Sequence, residues 1–282
     1  MATQTTLHKT VTLAGVGLHS GANITCRLCP APVDSGIVFC RTDLPGDPQV
    51  PARVEAVVPS QLSTCLQWGE ARVQTVEHLL AALVGLGISN CRIEVDGPEV
   101  PIGDGSALPW VEAIAEAGVM VQEGQRACYV IDRPLAVWEG DAFVTAMPAR
   151  EWRYTYGVDF PDSPIRQQWY SWRVDPATFA GEIALARTFV RQRDVAALQR
   201  AGLIRGGSLE NALVCTEKDW LNPPLRIDRE PVRHKLIDLL GDLSLLGGEV
   251  QGHVLAYKAG HRLHLQLAQA ILQITPVTAV VD

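Results

Sequence analysis

The sequence predicts an α+β protein: two similar two-layer β/α sandwich domains packed helix layer to helix layer, with a small β-α-β insert in the second. Three observations predict it. In each half the strand-like stretches come first and the helix-like stretches follow, the order of a two-layer α+β unit. Both halves then close on one run of events: helix, glycine stop, strand, glycine-containing turn, helix. Residues 75–86 match 231–246, strand 91–95 matches 252–257, and 107–117 matches 261–272. Finally, 282 residues suit about two domains, and 47% hydrophobic with 20% charged residues is the composition of a globular chain with a sizeable core.

The elements follow in order. In the N-terminal domain, residues 1–123, Val11-Thr12-Leu13, Ile24–Leu28 and Gly36–Cys40 read as strands, separated by turns at Pro30, Pro32 and Pro45. Gly15, Gly17 and Gly21 surround His19, but no GxGxxG opens a helix, so this is not a dinucleotide fingerprint. The first helix runs from Thr75 to Leu86. Thr75 is its expected cap, Glu77 puts a carboxylate in the first turn, and Gly85 and Gly87 close it. Cys91–Val95 alternates as a strand, and Ser106 caps a helix that Gly118 stops. The polar segment Gln122–Arg126 marks the domain boundary, with the second domain at 127–282.

There Tyr129–Val137, Ala142–Met147, Trp152–Phe160 and Gln168–Val174 read as strands, and Asp175 caps a helix from Pro176 to about Leu185. A strand at 186–190, a short amphipathic helix at 194–201 and a strand at 208–215 make the insert, about 186–215. Pro231 suits the first turn of the next helix, and Gly247-Gly248 stop it. Strand Gly252–Tyr257 and a helix from His261 to Leu272 complete the domain. Paired helices that face each other leave a cleft, the usual place for a small-molecule site.

Composition excludes several classes. A net charge of −7 argues against general nucleic-acid binding, which needs a basic surface. Met1 to Lys9 is polar, without a secretory pattern, and no run of about 20 apolar residues spans a membrane. Seven scattered cysteines, an odd number, fit a reducing cytosol. Cys26 and Cys29 form a CxxC, but an alternating strand turns them to opposite faces, so they read as structural.

The chemistry concentrates in the helix beginning at Pro231. His234, Asp238 and Asp242 stand four residues apart, and each such step turns only about 40° around a helix. An isolated HxxxD is more often a hydrogen-bonded pair on a solvated face. Here, however, His78 sits on the equivalent helix of the first half. Helices packed about 8–10 Å apart bring imidazoles from both to one ion. His78, His234 and Asp238 then form a two-His, one-carboxylate set with an open position, the pattern of catalytic rather than structural zinc. Fe2+ suits the same donors. Glu77 beside His78 is placed as a general base, although HExxH is absent and that analogy is chemical only. His261 opens a helix whose dipole opposes its positive charge, so it needs a carboxylate, which Asp242 supplies. His253 and His264 read as structural.

Thr75-Val-Glu-His-Leu79, Val232-Arg-His-Lys-Leu-Ile-Asp238, Gly241-Asp242 and Gly260-His261, with Ala186-Arg-Thr-Phe189, Gly206-Gly-Ser208 and Gly15-Val-Gly-Leu-His19, resemble the zinc-dependent UDP-3-O-acyl-N-acetylglucosamine deacetylases of lipid A biosynthesis. The resemblance spans essentially the whole chain. It implies that His78, His234 and Asp238 bind Zn2+, and that Glu77 takes a proton from the attacking water. His261 would stabilise the oxyanion and protonate the leaving amine, with Asp242 keeping it charged. Thr188 would donate to the tetrahedral intermediate, and Lys235 would contact the polar head of an acylated UDP-N-acetylglucosamine. His19 and Phe189 would line the substrate site. The insert would form an apolar passage for the acyl chain, lined by Val195, Leu198, Ile204 and Ala212. Two residues depart from the family pattern: Arg191 replaces an aromatic residue, which bears on acyl length, and Ser63 replaces a cysteine. The implied enzyme is cytoplasmic and monomeric. The competing readings are a non-catalytic nucleotide-sugar- or lipid-binding protein with a vestigial metal site, against which Glu77 and His261 argue, and a different metal hydrolase on a related frame.

Overall fold

The computed structural model describes residues 3–274. One large sheet has five strands, in the order Val11–Val16, Asn23–Cys29, Cys91–Val95, Ile37–Arg41, Gln49–Pro51. A six-stranded sheet runs Leu135–Glu139, Ala142–Met147, Glu249–Tyr257, Trp152–Phe160, Arg166–Arg173, with Cys128–Val130 also paired to Glu249–Tyr257. Both sheets share one plan. An antiparallel hairpin comes first. Its second strand pairs antiparallel with a late strand, Cys91–Val95 or Glu249–Tyr257. The late strand pairs in parallel with an earlier one, which a last antiparallel strand closes off.

Six helices lie among the described residues: α1 Glu77–Gly85, α2 Leu108–Ala117, α3 Pro176–Glu182, α4 Gln192–Arg200, α5 Glu230–Ser244 and α6 His261–Ile271. Helix α1 packs along α5, α2 flanks α1, and α6 flanks α5. Every residue of α5 except Lys235 is buried, and α1 is buried but for Val84, as expected of helices enclosed on all sides. The two backbones touch at Gly241, where a Cβ would stand 2.1 Å from the Glu77 carbonyl oxygen. Among the described residues, no helix is long and apolar enough to cross a membrane.

Several local expectations are corrected. Thr75 does not cap α1: it has a left-handed φ of 58°, and its hydroxyl donates to Glu99 Oε1 at 2.7 Å. Val76 is the flanking residue instead. The polar segment 122–125 is strand, part of Val119–Gln125, which pairs antiparallel with Thr3–Leu7. Its polar side chains find partners, Gln122 taking a hydrogen bond from Asn90 at 2.7 Å, so apolar alternation did not signal it. Tyr129–Val137 splits into Cys128–Val130 and Leu135–Glu139 around Pro134, which cannot donate to a ladder. A three-stranded sheet of Val57–Val58, Cys65–Trp68 and Ala71–Gln74 also escaped prediction, its strands being only two to four residues long. Asp175 does cap α3, accepting from Ala177 N at 2.9 Å, but the helix stops at Glu182 rather than about Leu185. In the insert, Phe189–Arg191 and Leu213–Cys215 pair in parallel around α4.

Gly241→Ala should lower stability by about 1–3 kcal/mol, the usual cost of overpacking, read as a drop in Tm of several degrees. Helix α1 has to move away from α5 to admit the methyl group. An alanine variant that melts like the parent would show that the crossing is not tight.

Candidate active site

The crossing of α1 and α5 brings His78 against His234 and Asp238. Their ring centroids are 4.8 Å apart at 85°, and one ligand atom from each of the three residues lies within 4.8 Å of the others. All three are at most 5% exposed. His234 Nδ1 meets the Ala186 carbonyl oxygen at 3.0 Å, so this nitrogen carries the proton and Nε2 keeps its lone pair. That lone pair faces Asp238 Oδ1 at 3.3 Å. His78 Nε2 faces the same oxygen at 3.7 Å, while its Nδ1 is buried without a partner. Burial pushes His78 down to about 3, so its ring is neutral. Burial opposes ionisation of Asp238, but the Lys235 ammonium outweighs it and holds the carboxyl well below its ordinary value. Lys235 Nζ takes the other oxygen, Oδ2, at 2.6 Å. Three acceptors thus converge on one point with no proton between them. Such a donor set fits a divalent cation.

Next to it lies a second cluster. Glu77 accepts from Thr64 N at Oε2 (3.0 Å), and Oε1 faces His261 Nε2 at 3.8 Å. Burial pushes Glu77 up to about 8; the charge of His261 lowers it, and those of Asp238 and Asp242 raise it further. His261 is the first residue of α6, and its Nδ1 lies 2.7 Å from Asp242 Oδ2. Burial disfavours the imidazolium, yet Asp242, then Glu77 and Asp238, lift His261 to about 9. Asp242 is itself penalised by burial, but His261 and His264 hold it at about 2. Asp242, His261 and His264 also lie close enough to hold a metal. Both imidazoles, however, direct Nδ1 at the same carboxylate oxygen, at 2.7 and 2.8 Å, which marks a hydrogen-bonded group rather than a ligand set.

Phe189 stands edge-on to His234 with ring centroids 6.4 Å apart. Thr188 is locked by its backbone, its N–H donating to Gly105 O and its carbonyl accepting from Leu213 N, each at 2.7 Å. His19 is buried, with its main chain held by Glu99 and its Nδ1 facing Ile204 N at 3.4 Å; its Nε2 is buried without a partner. The Gly206–Ser208 segment packs on this loop: Gly206 N donates to Leu18 O at 3.0 Å, and a Cβ there would stand 2.3 Å from Gly17 O. Val195, Leu198 and Ile204 are half-buried, whereas Ala212 is 7% exposed. Arg191 donates to Asp194 at 2.7 Å and lies over the Phe160 ring at 5.6 Å. Ser63 is buried and accepts from Gln74 Nε2 at 3.1 Å. His253 bonds Thr155 on the neighbouring strand Trp152–Phe160 at 2.8 Å.

Three contributors went unread in the sequence: Thr64, Glu99 and His264. His264 was set aside as structural, yet it is fully buried and reaches both Asp242 and the Tyr156 hydroxyl, the latter at 3.0 Å. Its position one turn past His261 was the available signal.

The sequence model of the family described as UDP-3-O-acyl N-acetylglycosamine deacetylase matches residues 4–273. The chain belongs to that family. A UDP-3-O-acyl-N-acetylglucosamine deacetylase of a Nostoc species is 52% identical over 277 residues, covering 96% of this chain and 99% of the relative. Proteins of the same name from Thermosynechococcus vestitus and Myxococcus xanthus are 53% and 48% identical, covering 96% and 95% of this chain and 94% and 86% of theirs. The family is metal-dependent, and the convergent His78, His234 and Asp238 supply a donor set for it here.

Metal analysis of the purified protein should find about one divalent ion per chain. His78→Ala should weaken that binding by at least about 10²-fold, beyond the range for loss of an outer-shell partner. Stoichiometric retention in the alanine variant would move the site elsewhere.

Proposed function

We propose that this chain hydrolyses the N-acetyl group of a UDP-3-O-(3-hydroxyacyl)-N-acetylglucosamine, releasing acetate and a free sugar amine in an early step of lipid A biosynthesis. The observation that carries the reading is a buried ligand set beside a separate carboxylate–imidazole pair, in a chain of this family.

An amide is a weak electrophile, so the site has to polarise its carbonyl, deprotonate water and protonate the departing nitrogen. His78, His234 and Asp238 hold the metal, Zn2+ in this reading; metal analysis separates it from Fe2+, which the same donors suit. When bound, the ion supplies Lewis acidity and makes water more acidic. Glu77 accepts the proton of the attacking water at Oε1, the oxygen that Thr64 N leaves free. Asp242 occupies the Nδ1–H of His261, so the proton that His261 delivers is the one on Nε2, which faces the Glu77 side of the site. The same N–H stabilises the oxyanion first, with Thr188 as a second donor.

His19 and Lys235 serve the substrate's polar head. Phe189, beside His234, begins the apolar wall, and Val195, Leu198, Ile204 and Ala212 continue it for the acyl chain. The shared strand order of the two sheets supports domains at 1–123 and 127–282 that meet through α1 and α5. Free thiols at all seven cysteines fit a reducing cytoplasm. Every site residue comes from one chain, so a monomer suffices. A protein that only bound the nucleotide sugar would need neither a carboxyl poised at about 8 nor an imidazolium opposite it.

Purified, metal-loaded protein should release acetate from this substrate. Glu77→Gln should keep its metal and lose about 10²-fold or more in kcat; full turnover in that variant would end the role of Glu77. The pH profile of kcat/KM should be bell-shaped. It rises as Glu77 loses its proton and falls as His261 loses its own. A bound cation favours the carboxylate and disfavours the imidazolium, so both limbs should lie below about 8 and about 9, the values without metal. A profile with no alkaline limb would remove His261 as the acid.

A further inference from the structure

We infer that Thr64 is a positioning residue that fixes the Glu77 carboxylate and the Asp242–His261 pair relative to each other. The inference rests on the roles proposed for Glu77 and His261. Thr64 directly precedes the strand Cys65–Trp68 and is 1% exposed. Its backbone N–H donates to Glu77 Oε2 at 3.0 Å, and its carbonyl accepts from Val76 N, at the start of α1, at 3.4 Å. Its hydroxyl donates to Asp242 Oδ1 and lies 3.1 Å from His261 Nδ1.

One residue therefore engages one oxygen on each of two carboxylates carried by different helices. Glu77 keeps Oε1 for the reaction, and Asp242 keeps Oδ2 for the N–H groups of His261 and His264. Asp242 is fully buried, so without the hydroxyl its Oδ1 would have no water to turn to. With both oxygens engaged, the carboxylate cannot swing about its own bond. The line from Asp242 through the imidazole to Nε2 is then fixed, and with it the 3.8 Å separation from Glu77. Serine shares the feature that matters, a backbone N–H beside a hydroxyl; valine keeps the shape and loses the hydroxyl.

Thr64→Val and Thr64→Ser distinguish positioning from packing. Valine should lower kcat about 10- to 100-fold, the range for one hydrogen bond to a charged group. KM should stay within about twofold and bound metal should not change. Serine should stay within about threefold of the parent, although it lacks the methyl group. In a His261→Ala background, Thr64→Val should cost no more than about a further twofold, because Thr64 acts through that imidazole. Where valine is not tolerated beside the buried carboxylate, Thr64→Ala reads the same loss. Parental kcat in the valine variant, equal losses in valine and serine, or losses that add to those of His261→Ala would each overturn the inference. If His261→Ala kept full turnover, the reading of the site would fall first; if it lost turnover while Thr64→Val did not, only the role of Thr64 would fall.

Discussion

The close crossing of α1 and α5 is the constraint on which the rest depends. A glycine at 241 lets the α5 backbone rest on the Glu77 carbonyl, and nothing larger fits there. Residues 234, 238 and 242 form a column on α5, rising about 6 Å per step. Helix α1 meets that column with two consecutive residues. His78 falls beside His234 and Asp238, and Glu77 falls nearer Asp242 and His261. Neighbouring helix residues point about 100° apart, so one short turn of α1 serves two clusters without mixing them. The cluster of His78, His234 and Asp238 and the Glu77–His261 pair are adjacent because the helices touch, and distinct because Glu77 and His78 diverge.

Burial acts on all three carboxylates of the site, yet it leaves them in different states. Desolvation pushes Glu77, Asp238 and Asp242 alike towards the neutral form. Asp238 has the Lys235 ammonium against that push, and Asp242 has two imidazole N–H groups and the Thr64 hydroxyl. Glu77 has one backbone N–H and an imidazole at 3.8 Å. The two well-supplied carboxylates stay anionic, which suits a ligand and an orienting partner. The poorly supplied one is lifted to about 8, where it can exchange a proton near neutral pH. The charges and donors beside each oxygen set three chemically similar groups apart.

How much of this was legible in the sequence follows from the range of each interaction. The column at 234, 238 and 242 could be read because helix periodicity is local, and the glycine stops located both crossing helices. The strand Trp152–Phe160 was readable for the same reason, with Tyr154, Tyr156 and Val158 buried on one face. Thr64 gave no such sign: its partners stand 13 and 178 residues away, and a lone threonine before a four-residue strand has no periodicity to betray it. Thr75 misled, because threonine before a helix is normally a cap, whereas Glu99 claims its hydroxyl from 24 residues on. The polar segment Gln122–Arg126 reads as a domain boundary and not as strand, because the partner of Val119–Gln125, Thr3–Leu7, lies at the other end of the first half.

The segment Ala186-Arg-Thr-Phe189 carries the same lesson one step further from His234. Its arginine is engaged within the protein. Arg187 is 7% exposed and donates through its backbone N–H and its guanidinium to Glu230, which is fully buried at the first turn of α5. Glu230 also accepts from Arg226 N at 2.8 Å, so the carboxylate gathers the chain on both sides of the insert. This ion pair fixes where the peptide of Ala186 lies. The Ala186 carbonyl in turn takes the Nδ1–H of His234, one helical turn beyond Glu230. Glu230 and Arg187 lie behind the Ala186 carbonyl, and through it they settle which nitrogen of His234 keeps a lone pair. A neutral imidazole has one proton to place, and a carbonyl held at 3.0 Å decides that it points away from Asp238.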